Sequence, residues 1–308
     1  MQYRFGELTV ACTNVDRVMF PADGITKREV IAYYHDVAAA MLPELRRRPL
    51  TIERFTKSIA EGGFYQKHAQ KHYPAWIERV ELGGKTPVAY PLCDTPAALV
   101  YFANQGALAL HVWTSRCDTP FCPDEIVFDL DPPEGRFDLV TRVARLLRDL
   151  LDALDLPAFV KTSGSKGLHI VAPLDGDAGF DEVNALGTRV AAHLCRRHPD
   201  LATTEFYKKD RGGRLFLDVM RNAPGATLIA PYSLRARAGA PVSAPIEWRE
   251  VDDEGLRPDG FRLRDIRARL DASGDPWRAL RERAGSARTA LASLARISGE
   301  ATHAAKPA

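Results

Sequence analysis

The chain has 308 residues, 45% of them hydrophobic and 27% charged, which is ordinary globular composition and enough length for one large or two small domains. No apolar run reaches the ~18 residues of a membrane span, and the N-terminal Met-Gln-Tyr-Arg-Phe-Gly-Glu carries no apolar signal region, so a cytoplasmic protein with no membrane partner is expected. Five cysteines without framework spacing argue against an oxidised secreted fold, and a net charge of +2 does not by itself announce a nucleic-acid binder, which leaves any such role to local basic clusters.

Glu7–Cys12 reads as a short strand, followed by Thr13-Asn14-Val15-Asp16-Arg17. Thr26-Lys27-Arg28-Glu29 fits a capping box, with Thr26 as N-cap and Glu29 at N3. The helix it opens runs to about Arg47 on an apolar stripe that includes Val30, Tyr34, Val37, Met41 and Leu45. Its start offers free N–H groups and a positive dipole end, with Arg17 and Lys27 beside it. A phosphate suits that position; ordinary surface charge is the alternative. Thr51–Phe55 is a strand, and a glycine turn then leads to Phe64, Tyr65 and Lys67. Two aromatics beside a base can stack nucleobases while phosphates are neutralised, and core packing is the alternative for one of the rings. Val80–Tyr90 reads as two short strands around Gly83-Gly84, Thr95–Gln105 as a helix, and Leu108–Trp113, carrying His111, as a strand. Cys117 and Cys122 with His111 lack a fourth ligand for zinc.

Asp124–Pro133 is the stretch around which the rest is organised. Ile126, Phe128 and Leu130 alternate with Val127, Asp129 and Asp131, the period of a strand, so Asp129 and Asp131 share one face. Pro132 and Pro133 end the strand directly after the second carboxylate. Two acids on an apolar strand are costly without a partner, and oxygen-only ligands suit hard cations such as Mg²⁺ or Mn²⁺. Acids facing water or capping the next helix are the alternative.

Phe137–Leu154 is an amphipathic helix ended by Pro157, and Ala158–Thr162 is a strand. Ser163-Gly164-Ser165-Lys166-Gly167 then forms a turn before Leu168–Pro173, which carries His169. Its two glycines permit an N–H-rich turn of the kind that cradles phosphates, while no helix follows, which excludes a Walker loop or a Rossmann fingerprint. Asp181–Arg197 is a helix and Phe206–Gly213 a basic, polar segment. Arg214–Asn222 again places a carboxylate, Asp218, inside an apolar β-pattern, with Phe216 and Met220 on its face. Three strand carboxylates are what a two-metal site requires. Thr227–Arg235 ends in Arg235, a candidate clamp for phosphate oxygens. Arg262–Leu270 and Trp277–Ala284 read as short helices, and residues 286–308, rich in Ala, Ser and Thr, as a flexible tail or linker.

Taken together, Thr13–Arg17, Phe128–Pro132, Thr162–His169, Phe216–Asp218 and Ile229–Arg235 resemble, in order, the motifs of the polymerase domain of bacterial ATP-dependent DNA ligase D, in the archaeo-eukaryotic primase superfamily. The resemblance implies an α+β fold: a primase-like core with a mixed or antiparallel catalytic sheet flanked by helices, plus an N-terminal α/β module. Residues 1–285 would form one primase-polymerase domain, with the module over about 1–105 and the core over about 106–285. The implied activity is template-directed addition of NTP or dNTP to a primer 3′-hydroxyl, at gaps or ends of double-stranded DNA bearing a 5′-phosphate, in non-homologous end joining. Asp129, Asp131 and Asp218 would hold two Mn²⁺ or Mg²⁺ ions. Ser163, Lys166, His169 and Arg235 would hold the triphosphate, with His111 close by. Arg17 and Lys27 match the 5′-phosphate grip, and Phe64 or Tyr65 the template stack. A Ku-like end-binding protein and an ATP-dependent ligase are the implied partners, in a nucleoid-associated cytoplasmic setting. Ile52 and Glu53 stand where the family is often more basic, leaving Arg54, so the resemblance leaves the strength of the 5′-phosphate grip open. A catalytically silent end-binding module and a metal-dependent phosphoesterase are the competing readings.

Overall fold

The computed structural model describes residues 1–83 and 86–299. They form two compact units, each assembled from separated segments: one from Met1–Pro120, Lys161–Lys166 and Thr227–Arg278, the other from Phe121–Val160, Gly167–Ala226 and the chain from Ala279 onward.

In the first unit, β1 (Gln2–Phe5) and β2 (Leu8–Ala11) form one hairpin, and β3 (Val18–Phe20) and β4 (Ile25–Thr26) a second that feeds α1 (Lys27–Asp36). The predicted capping box is present: the Thr26 N–H donates to Glu29 Oε2 at 2.9 Å, and Thr26 Oγ1 accepts from the Glu29 N–H. The helix does not run unbroken to Arg47. It ends at Asp36, and α2 (Ala38–Leu45), which contains Pro43, begins after Val37. The apolar stripe survives the break, since Val37, Met41 and Leu45 are all fully buried. β5 (Leu50–Arg54), β6 (Phe64–Gln66), the hairpin of β7 (Arg79–Leu82) and β8 (Val88–Pro91), α3 (Pro96–Asn104) and β9 (Ala107–Val112) follow. Gly84, in the expected turn of that hairpin, lies outside the described residues. The antiparallel sheet runs Leu228–Ile229, β9, β5, β6. Register puts Leu50 opposite Val112 and Ile52 opposite Leu110, so these side chains share the face buried in the core with α1 and α3. Thr51, Glu53, Ala109 and His111 share the other.

The second unit holds β10 (Glu125–Asp131), α4 (Phe137–Asp152), β12 (Leu168–Pro173), α5 (Phe180–Arg197), β13 (Ala202–Thr203) and β14 (Leu215–Asp218); the strand β11 (Phe159–Thr162) lies between α4 and β12 in sequence. Four strands lie in the order β13-β14-β10-β12, with β13 parallel to β14 and the other pairs antiparallel. Helix α5 packs on the Ile126 face of β10: a Cβ on Gly187 would lie 3.6 Å from Ile126 Cδ1. Asp129 and Asp131 therefore point to the opposite face. The predicted strand Arg214–Asn222 stops at Asp218, and Met220–Asn222 is a 3₁₀ turn, which takes Met220 off the face of Asp218. The buried Asn222 amide replaces the missing ladder. Its Nδ2 donates to the Val127 carbonyl and its Oδ1 accepts from the Val127 N–H, both at 2.8 Å.

The remaining elements are β15 (Leu228–Ile229), β16 (Pro245–Ile246), α6 (Ile266–Ser273) and α7 (Ala287–Ile297). Trp277–Ala284 contains only a 3₁₀ turn at Leu280–Arg283. Part of the stretch expected to be a tail is α7, capped by Ser286 and packed on α5 through buried Ala287, Ala290 and Leu294. Its small residues permit close helix packing, which composition alone does not distinguish from a linker. Residues 300–308 of the expected tail lie outside the described residues. Seven helices among the described residues, with antiparallel and mixed sheets, make an α+β fold of the expected class. No helix among the described residues is long and apolar enough to cross a membrane.

Candidate active site

In the second unit, antiparallel register sets Asp129 opposite Asp218 on one side and opposite His169 on the other, with Asp131 opposite Phe216. Directly opposed residues share a sheet face, so three carboxylates and an imidazole stand together on the face away from α5. His169 Nε2 lies 3.4 Å from Asp129 Oδ1. Asp218 is buried, and its Oδ1 accepts the Met220 N–H at 2.7 Å, a turn that fixes the side chain where the strand ends. Asp131 Oδ2 accepts from Arg211 at 3.1 Å. Gly167 makes the arrangement possible, because a Cβ there would sit 1.8 Å from the Leu130 carbonyl oxygen, between the two strand acids.

Like charges directly opposed on neighbouring strands repel, and burial strengthens the repulsion. The donor set is all carboxylate, which suits a hard divalent cation. Register and chemistry thus fit a metal ion held by Asp129, Asp131 and Asp218. The side chains are splayed, with Asp131 turned to Arg211 and Asp129 to His169, and among the described residues no three His, Cys, Asp or Glu side chains converge closely enough to enclose an ion.

In the first unit, Ser163 Oγ accepts the N–H groups of Ser165 and Lys166 at 3.2 and 3.1 Å, so the hydroxyl organises the turn that presents Lys166. Gly164 adopts φ +65°, and a Cβ there would lie 2.7 Å from Arg235 Cγ. The Arg235 stem therefore lies across the turn, bringing Ser163, Lys166 and Arg235 together. Arg235 also acts electrostatically on Glu53, opposing the upward pKa shift that burial imposes on that carboxyl. Glu53 pairs with Tyr65, Thr51 with His111, and the Tyr65 and His111 rings meet edge to face at 5.6 Å. Glu53, Tyr65 and His111 thus share the sheet face away from the core.

Phe64 falls on the opposite face, paired with Arg54. Neither aromatic is core: Phe64 is 47% exposed and Tyr65 65%, which removes the alternative that one of them packs inward. Strand β6 is the sheet's edge strand. Arg54 lines a pocket of about 190 Å³ with Asn14, Arg17, Lys27, Thr56 and Gly106. Arg17 donates to the Thr56 carbonyl and Lys27 Nζ to the Thr13 carbonyl at 2.6 Å. The Arg17 carbonyl accepts the Lys27 N–H at 2.8 Å, which ties this loop to the start of α1. Lys27 is 4% exposed; burial, then Arg17 and Arg54, lower its pKa to about 8. Three cations lining one pocket suit an anion. Glu53 does not line this pocket and points to the other side of β5. Lys67 is exposed just beyond β6 and does not line the pocket. Cys117 and Cys122 are free thiols and join no metal-binding cluster among the described residues.

Sequence reasoning missed Arg211 and Asn222. Arg211 sits in a basic run that reads as surface, and its target Asp131 is remote in sequence. Asn222 reads as the end of a strand it in fact replaces.

A family model described as LigD, primase-polymerase domain matches residues 26–277. The LigD protein of Mycolicibacterium smegmatis, named a multifunctional non-homologous end joining protein, is 38% identical over 270 residues, covering 86% of this chain and 35% of that protein. The bifunctional LigD of Bacillus subtilis is 31% identical over 267 residues, covering 86% of this chain and 43% of that protein. This chain therefore spans well under half the length of these curated relatives. The solved polymerase domain of Mycobacterium tuberculosis Ligase D, in complex with DNA, superposes with a TM-score of 0.84 at 35% identity, covering 90% of this chain and 99% of that one.

Proposed function

The chain belongs to the LigD primase-polymerase family, and on that premise we propose that it is a nucleotidyltransferase that extends a primer 3′-hydroxyl on a DNA template, at gaps or breaks repaired by end joining. The observation that carries the reading is the register of Asp129 against Asp218 and His169, which sets acids and imidazole on one sheet face. A silent end-binding module has no use for a repulsive acid pair of this kind.

Asp129, Asp131 and Asp218 are the residues that would hold two divalent cations, with Mn²⁺ or Mg²⁺ as candidates. Such ions supply Lewis-acid activation of the attacking hydroxyl and neutralise the leaving pyrophosphate. The chain's own part is positioning and charge. His169, beside Asp129, donates to a phosphate oxygen on this reading and orients that carboxylate. Lys166 and Arg235, held by the Ser163 turn and by Gly164, neutralise the triphosphate of an NTP or dNTP, together with His111 of β9. Arg17, Lys27 and Arg54 take the 5′-phosphate of the downstream strand. Phe64 or Tyr65 stacks on the template, and Lys67 neutralises a backbone phosphate. On this reading residues 1–285 act as one polymerase domain, working with a Ku-like end-binding protein and an ATP-dependent ligase.

The test is primer extension on a gapped duplex with a 5′-phosphate, using ribo- and deoxyribonucleotides with Mn²⁺ or Mg²⁺. Templated addition that is lost in Asp129→Ala supports the proposal. No addition by the wild-type chain, with tight binding to the gap, overturns it in favour of an end-binding module.

A further inference from the structure

The segment Glu205–Arg214 presents Phe206 and Tyr207 to solvent at 56% and 64% exposure, their rings edge to face at 5.3 Å. Large exposed aromatics on a loose loop would carry little meaning, but this loop is held. The Arg211 guanidinium lies 4.0 Å over the Phe216 ring and donates to the carbonyls of Glu205 and Phe206 at 3.2 and 2.8 Å, which fixes the backbone that carries the aromatic pair. Arg214 in turn donates to the carbonyls of Arg211 and Asp210 at 2.7 and 3.1 Å. The Phe206 ring also meets Phe216 edge-on at 6.4 Å. Keeping two aromatics in water on a preorganised backbone is unfavourable unless something covers them.

Charge and position indicate what does. Lys208 and Lys209 follow at once in an exposed 3₁₀ turn. The same Arg211 that braces the loop bonds Asp131 at 3.1 Å, so the aromatic pair stands beside the strand acids. Two π-faces, two adjacent free-standing cations and a carboxylate site form the chemistry of a single-stranded nucleic acid platform, with bases on the rings and phosphates on the lysines.

We infer that Phe206 and Tyr207 stack an unpaired nucleobase of the strand whose end approaches Asp131, while Lys208 and Lys209 neutralise its backbone. The stack needs only the platform; that the strand is a primer rests on the polymerase reading.

The test is binding of a fluorescent deoxythymidine oligonucleotide, read by anisotropy without metal or nucleotide, to the full chain. Replacing both Phe206 and Tyr207 by Ala weakens binding about tenfold, the effect of losing one base stack, and leaves an abasic oligonucleotide of the same length unaffected. Lys208→Ala with Lys209→Ala weakens both oligonucleotides alike and flattens the salt dependence. In the otherwise intact chain, Tyr207→Trp places a fluorophore in the stack, and its emission is quenched by the base-bearing oligonucleotide only. Unchanged affinity in the double alanine variant, or equal quenching by the abasic strand, overturns the inference and leaves the aromatic patch to a protein partner. These readouts do not depend on nucleotide addition, so failure of wild-type extension sinks the polymerase reading without touching them.

Discussion

Asp129 and Asp218 stand directly opposite one another on adjacent antiparallel strands, two carboxylates in a cross-strand pair where a sheet ordinarily places opposite charges or apolar groups. Folding the chain brings together charges that the unfolded chain keeps apart.

That relationship predicts an inverse effect on stability and activity. Asp218→Asn keeps the oxygen that accepts the Met220 N–H and removes one charge of the pair. Without divalent ions the variant should melt higher, by an amount corresponding to about 0.5–1 kcal/mol. Added Mn²⁺ should raise the melting temperature of the wild-type chain more than that of the variant, and primer extension by the variant should be lost. Calorimetry in chelator and in Mn²⁺ checks this. A metal-free variant that melts lower than wild type would remove the repulsion from the account.

Arg211 neutralises Asp131 and braces its own loop at the same time. Arg211→Gln should therefore tighten Mn²⁺ binding to the nucleotide-free chain severalfold, seen by paramagnetic resonance of the free ion. It should also expose Glu205–Arg214 to proteolysis. If neither metal affinity nor cleavage changes, the ion pair holds nothing that matters.

Gly167 and Gly135 separate two reasons for glycine. Gly167 has no room for a side chain against the Leu130 carbonyl, whereas Gly135 has open space and φ +73°. Gly135→Ala should cost about 1–2 kcal/mol from backbone strain alone. Gly167→Ala should cost more than about 3 kcal/mol, because β10 itself must move. Urea unfolding of the two variants decides, and equal losses would mean that β10 gives way more easily than its position between two strands suggests.

Lys27 provides a pH dependence. Burial and the neighbouring Arg17 and Arg54 lower its pKa to about 8, so in the free chain its charge disappears as pH rises through that value. A 5′-phosphate is already dianionic above about pH 7, so it does not titrate in the same window. Preference for 5′-phosphorylated over unphosphorylated gaps should therefore fall between pH 7 and 9, and be small at all pH in Lys27→Ala. Stability has the opposite sense: a lysine whose folded pKa lies below its unfolded one penalises folding below about pH 8, and the penalty fades as pH rises toward the unfolded value. A preference that stays level through pH 9 would place the phosphate elsewhere.

Much of the fold was legible because its signals are local. The capping box at Thr26 and Glu29, the period of β10 and the amphipathic α4 each lie within a few turns of chain, where propensity and periodicity act. Errors occurred where tertiary packing overrode the local pattern. β14 was cut short by an Asn222 side chain that mimics a strand, and a stretch poor in bulky groups became α7 because its small residues fit against α5.

The sequence by itself determined which chemistry is available: three strand acids, a glycine turn with Ser163 and Lys166, basic residues at a helix start, and motifs in family order. Only the tertiary structure decided how these groups face one another. Alternation along a strand says which side chains share a face of that strand, but register between strands is set by pairings across long stretches of chain. Those pairings put Asp218 and His169 on either side of Asp129, turned Glu53 toward Tyr65 and Phe64 toward Arg54, and brought Arg211 to Asp131.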